Sequence, residues 1–273
     1  MISPPLVKYI LTAARRDKIM MTLLLMIVLG ACLSVFLGAS AVVEQGQFSL
    51  VFASGGLRYL GVAGIVLFVT FYMRRSFEHK EVEFLLSRPL SRMTFLFSHA
   101  AAFILLAVLT AVAVVLPVLI AGAPSASGLL VWGASIAVEY AIMAVAALFF
   151  SMVLSSAAGS ALATLGLYVL SRLIGTLLGI ASVATDNVLI RMLGKIMDVI
   201  SVVVPRLDLM GQTSWLVYGV EGSSGIGLLE QAGRYAQAMV AHLGVAGFVC
   251  VQGIAFIALL IAASAFDFAR RRF

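Results

Sequence analysis

Apolar residues run along this chain in long unbroken stretches, without the alternation expected of a half-buried strand. Six stretches approach or exceed the roughly 20 helical residues that cross a hydrocarbon core of about 30 Å. They are Ile19 to Ala39, Leu57 to Met73, Met93 to Ala121, Leu129 to Leu154, Ala161 to Val183 and Leu243 to Phe266. The second has the shortest charge-free part, Tyr59 to Met73, so either Arg58 reaches back to the interface or the helix begins nearer Leu50. Gly122 to Gly128, with Pro124 and two serines, ends the third stretch and turns the chain into the fourth. The charge-free Ser155 to Ser160 joins the fourth to the fifth and is short enough to require antiparallel neighbours. A membrane barrel would show alternating segments of about ten residues; the pattern here predicts an all-α fold with six transmembrane helices.

Composition agrees with that solvent. Hydrophobic residues make up 63% of the chain and charged residues 11%, with a mean hydropathy of +1.14, which excludes an ordinary soluble domain. Residues 1–273 read as one transmembrane domain. Cys32 and Cys250 both fall within spans and read as small packing residues, with neither a disulfide nor a metal site implied. Leu29-Gly30-Ala31-Cys32 resembles a lipoprotein cleavage site, but the apolar run continues to Ala39, as a membrane anchor would.

The Lys and Arg residues fall on alternate loops. With both termini in the cytoplasm, twelve of the eighteen lie inside: Lys8, Arg15, Arg16, Lys18, Arg74, Arg75, Lys80, Arg88, Arg92, Arg270, Arg271 and Arg272. Only Arg58, Arg191, Lys195, Arg206 and Arg234 fall outside, and Arg172 lies within a span. The net charge of +6 is therefore read as membrane topology and not as a nucleic-acid surface. The expected location is an inner (plasma) membrane. Residues 1–18 predict an amphipathic helix on the cytoplasmic face. Residues 184–241 predict an external helical cap. Within it Arg191, Lys195 and Asp198 share one helical stripe of an interfacial helix, Trp215 and Tyr218 anchor at the interface, and Glu230 pairs with Arg234.

Well inside the spans only Glu139 and Arg172 are charged, each costing about 2.5–3.5 kcal/mol if unpaired. They are equidistant from a turn at Ser155-Ser156, which predicts an ion pair between the fourth and fifth helices; a substrate or proton pathway is the functional alternative. His99 and His242 are expected at opposite interfaces. Gly175-Thr176-Leu177-Leu178-Gly179 is a GxxxG match read as helix packing. No catalytic cluster or metal-ligand set is apparent within the spans. A phosphate-binding Gly-x-x-x-x-Gly-Lys-(Ser/Thr) loop is also lacking, since Gly194-Lys195-Ile196 has neither the upstream glycine nor the hydroxyl.

The loop 74–92 is more than a connector. Good helix formers from Phe77 to Leu86 end at Pro89, predicting about three turns of charged helix with apolar Val82, Phe84, Leu85 and Leu86 exposed. Such a helix either enters a groove on a soluble partner or lies in the headgroup layer. Val82-Glu83-Phe84-Leu85-Leu86-Ser87-Arg88-Pro89-Leu90-Ser91-Arg92 resembles the Leu-Glu-x-Leu-Leu-Ser-x-Pro-(Ile/Val/Leu)-Ser-Arg loop of the type-2 permeases of ATP-binding-cassette (ABC) exporters. Lys80-Glu81 stands where those permeases commonly have Gly-Thr. The resemblance implies a non-enzymatic permease subunit that pairs with a second copy or relative and seats its coupling helix in a cytoplasmic ABC ATPase. ATP and Mg would bind that partner, with no cofactor on this chain. On that reading Glu78, Glu81, Glu83, Phe84, Leu85, Arg88, Pro89 and Arg92 form the ATPase-coupling surface. A self-contained secondary transporter or membrane-embedded enzyme is the alternative class.

Overall fold

Ser3 precedes a proline pair whose fixed backbone starts the first helix, α1 (Pro4–Arg16). The computed structural model describes residues 2–41, 44–79, 91–122, 125–183, 204–222 and 234–270, and between 183 and 204 only 192, 194–196 and 199–201. Leu6, Ile10 and Ala14, one helical face, are buried. The helix packs on α4 (Arg92–Ile120), and the Ser3 backbone N–H donates to Ser98 Oγ at 2.8 Å. The amphipathic start is therefore docked on protein, with Lys8, Tyr9, Arg15 and Arg16 outward. Asp17 breaks the chain in extended geometry, and its Oδ1 accepts the Ile19 N–H at 2.8 Å to cap α2 (Lys18–Ala39).

The remaining elements are α3 (Gln45–Glu78), α4, α5 (Ala126–Val153), α6 (Ala157–Val183), a single 3-10 turn at Leu207–Leu209, α7 (Ser214–Gly222) and α8 (Arg234–Arg270). Ser91 Oγ caps α4 through the Thr94 N–H, and Ser125 Oγ caps α5 through the Gly128 N–H, each at 3.1 Å. Gly244, at φ 70° and ψ 167°, breaks α8 where the expected last span begins. Six of these helices, α2 to α6 and α8, are long and apolar enough to cross a membrane. The described residues contain no strand, and the chain is a multi-pass membrane protein of all-α class.

Helix α5 is the central one. Of its most apolar window 72% is buried, against 22% for α2, and it packs against α3, α4, α6, α7 and α8. Met21, Leu25 and Val28 of α2 share an exposed face, as expected where the surrounding solvent is hydrocarbon.

Several expectations are corrected. The second span begins well before Leu57, in line with the alternative start nearer Leu50: its helix runs 34 residues from Gln45, so Arg58 lies more than three turns inside the helix and is buried. Cys32 and Cys250 are exposed on the outer surface of their helices and do not pack the core. His99 is buried, with its Nδ1 3.0 Å from the Phe95 carbonyl and its ring 4.0 Å from that of Phe95. Of the loop residues, Glu78 ends α3 in an exposed pair with Arg74 Nε at 2.8 Å, and Arg92 begins α4. Glu81, Glu83, Phe84, Leu85, Arg88 and Pro89 lie outside the described residues, as do Arg191, Asp198 and Glu230.

Candidate functional site

Glu139 occupies the middle of α5, about 20 Å of helix from either end, and is wholly buried. A lone carboxylate there needs a cation and further donors to offset its lost hydration. The cation is Arg58 of α3 and not Arg172 as the hairpin symmetry suggests. Arg58 Nε donates to Glu139 Oε2 at 2.8 Å, and Arg58 Nη2 also contacts Oε2. The other carboxylate oxygen, Oε1, accepts from Tyr168 Oη of α6 at 2.8 Å. Tyr140, next to Glu139, donates its phenol to the Arg58 backbone carbonyl at 2.9 Å. Three helices are thus tied through one carboxylate.

The remaining donors of Arg58 explain why the pair lies at this depth. Nη1 donates to the Gly211 carbonyl at 2.7 Å, and Nη2 to the Met210 carbonyl at 2.9 Å. Arg172 of α6 donates through Nη1 to Leu207 O at 2.6 Å and to Met210 O at 3.2 Å, and through Nη2 to Tyr59 Oη at 3.4 Å. The guanidinium carbon also lies 5.8 Å from the Tyr59 ring centroid. Apart from Tyr59 Oη, these acceptors are the carbonyls of Leu207, Met210 and Gly211, in the stretch 204–213 where the chain is not α-helical. Such backbone is tolerated within a membrane bundle only where protein satisfies it. The two arginines and Ser135, whose Oγ accepts the Gly211 N–H at 3.0 Å, provide those partners.

The stretch 207–211 is consequently packed into the bundle. Leu207, Leu209, Met210 and Leu216 join the hydrophobic core. Arg206 is fully buried and makes a bidentate pair with Asp208, through Nε at 2.8 Å and Nη2 at 2.7 Å. Its backbone N–H donates to Gln252 Oε1 of α8 at 2.9 Å, while Gln252 Nε2 donates to the Ser201 and Val204 carbonyls at 3.1 and 3.2 Å. Gly211 turns the chain at φ +57°, with the Arg58 guanidinium against the space a side chain would fill. Gly175 of the GxxxG match faces the Arg206–Asp208 pair, so its small size serves this segment. Trp215 is half-buried and only Tyr218 is strongly exposed.

Sequence reasoning found Glu139 and Arg172 as intramembrane charges but paired them wrongly, and it missed Arg58, Tyr168, Ser135 and Gln252. A mid-span tyrosine and glutamine in otherwise apolar runs were the available signal. No group of three His, Cys, Asp or Glu side chains among the described residues could hold a metal ion. The network is suited to holding four helices around an inserted segment: most of its donors are directed at backbone carbonyls or at Glu139. No protein-family model matches the chain, and no curated protein sequence matches it.

Proposed function

We propose that the chain is the permease subunit of an ATP-driven ABC exporter, with both termini and the 74–92 loop in the cytoplasm of an inner (plasma) membrane. The observation that carries the reading is the motif from Val82 to Arg92, placed between the second and third of six apolar helices. Helix α3 supports it. At 34 residues it is about 51 Å long, well beyond a ~30 Å hydrocarbon core, which leaves length for its charged end at Arg74 to Glu78 to stand outside the core, shortly before the motif in sequence. A docked amphipathic helix at the start of the chain and the excess of Lys and Arg on the same side agree with it.

On this reading a cytoplasmic ATPase receives the loop helix, and closure of the ATPases on ATP moves α3 and α4 as levers. Two permease chains, identical or related, would enclose the route between them. Glu78, Glu81, Glu83, Phe84, Leu85, Arg88, Pro89 and Arg92 form the contact with the motor. A secondary transporter is less well supported, because the mid-depth charges hold helices and backbone in place.

Purification of the full chain from its native membrane tests the proposal. ATPase activity should accompany the wild-type chain, and Glu81→Lys or Glu83→Lys should abolish its association or its coupling to transport. A wild-type chain isolated intact without ATPase activity, or both variants behaving as wild type, would refute it.

A further inference from the structure

A cavity of about 230 Å³ opens where α1, the Asp17 elbow and the end of α3 meet, lined by Tyr9, Ala13, Arg16, Asp17, Tyr72, Arg75 and Ser76. That volume far exceeds the roughly 10–15 Å³ that a single water requires. Two arginines and one aspartate line it, leaving a net positive charge. The carboxylate is also engaged elsewhere: Asp17 Oδ1 accepts the Ile19 N–H at 2.8 Å, and Oδ2 accepts from Arg75 Nη2 at 2.9 Å. Arg75 is half-exposed, and Arg16 is exposed without an ion-pair partner among the described residues.

We propose that this cavity binds the phosphate of an anionic phospholipid headgroup. Guanidinium groups beside phenol and hydroxyl side chains suit a phosphodiester, which presents planar pairs of acceptor oxygens. Position favours a lipid over a free phosphate. Lys18, the residue after the elbow, begins a candidate membrane span, so the cavity lies at the edge of the hydrocarbon layer. Beyond it Met21, Leu25 and Val28 form an exposed apolar face on α2, along which acyl chains can run. Interfacial aromatic residues such as Tyr9, half-exposed at the mouth, belong at this depth. The assignment needs only the membrane-spanning reading and stands apart from the exporter proposal.

Native mass spectrometry of the full chain in detergent, titrated with phosphatidylglycerol or phosphatidylcholine of equal chain length, tests it. Phosphatidylglycerol should be retained at several-fold lower concentration. Arg16→Gln should weaken that retention about fivefold and Arg75→Gln by at least as much. Asp17→Asn, which keeps the helix cap while removing the competing charge, should strengthen it. Should Arg75→Gln not fold, Arg16→Gln alone decides. Equal retention of the two lipids, or unchanged retention by Arg16→Gln, overturns the site. Saturable binding of inorganic phosphate with no preference for phosphatidylglycerol would assign the cavity to a soluble anion and overturn the lipid assignment.

Discussion

Arg58 and Arg172, on α3 and α6, donate to the same acceptor, the carbonyl of Met210, at 2.9 and 3.2 Å. A buried and a partly buried cation can approach one another in this way because Glu139 neutralises the first and the Tyr59 ring lies beside the second. The inserted segment at 207–211 is therefore built into the charge balance of the bundle, and either arginine's loss should be felt there.

Arg58→Met leaves Glu139 buried without its cation, and such a broken pair costs about 3–5 kcal/mol. Glu139→Gln should cost less, since Gln can still accept from Tyr168 while Arg58 keeps its two carbonyl partners. A hydrophobic replacement of both, Arg58→Met with Glu139→Leu, should recover part of the loss in thermal unfolding of the purified chain. Single variants as stable as wild type would show that the pair is solvated.

The exchange of partners gives a sharper test. Arg58→Glu with Glu139→Arg should restore some of the stability lost in either single variant, whereas Arg172→Glu with Glu139→Arg should not. Rescue by the second exchange and not the first would reinstate the pairing that hairpin symmetry suggests.

Arg172→Met removes donors to Leu207 O and Met210 O from a partly buried site, where a hydrogen bond to a charged group contributes about 1.5–3 kcal/mol. The loss should concentrate on the inserted segment. A cysteine placed at Met210 should react faster with a small thiol reagent when Arg172 is absent. An unchanged rate would mean that Arg58 and Ser135 hold the segment unaided.

How far the sequence exposes this arrangement depends on the distance over which each determinant acts. Four spans match their helices to within four residues, Ile19 to Ala39 against Lys18–Ala39 for example, and Leu243 to Phe266 falls inside the longer α8, because the length and continuity of an apolar run are local properties. The start of α3 was legible only as an alternative. Arg58 reads as a boundary when its partner is unknown, and that partner lies 81 residues away. Glu139 stands out as a lone carboxylate, but the hairpin argument aligns only depth. Tyr168, one turn before Arg172, takes the place facing Glu139, and Arg172 faces the inserted segment. Nothing periodic marks residues 207–211 as an insertion, because their burial follows from distant hydrogen-bond partners on α3, α5 and α6.

Gly61 of α3 provides the last test, because it lies beneath the Tyr140 ring. A Cβ there would overlap the phenol that donates to the Arg58 carbonyl. Gly61→Ala should therefore push Tyr140 aside and cost about 1–3 kcal/mol by overpacking. It should also lengthen or break the Tyr140 bond, loosening the α3 and α5 contact next to the ion pair. Tyr140→Leu removes both the clash and the hydrogen bond. Combined with Gly61→Ala it should be less destabilising than the sum of the two changes, as expected for directly contacting residues. Strict additivity in thermal unfolding would place Tyr140 away from Gly61 and weaken the described packing of α3 on α5.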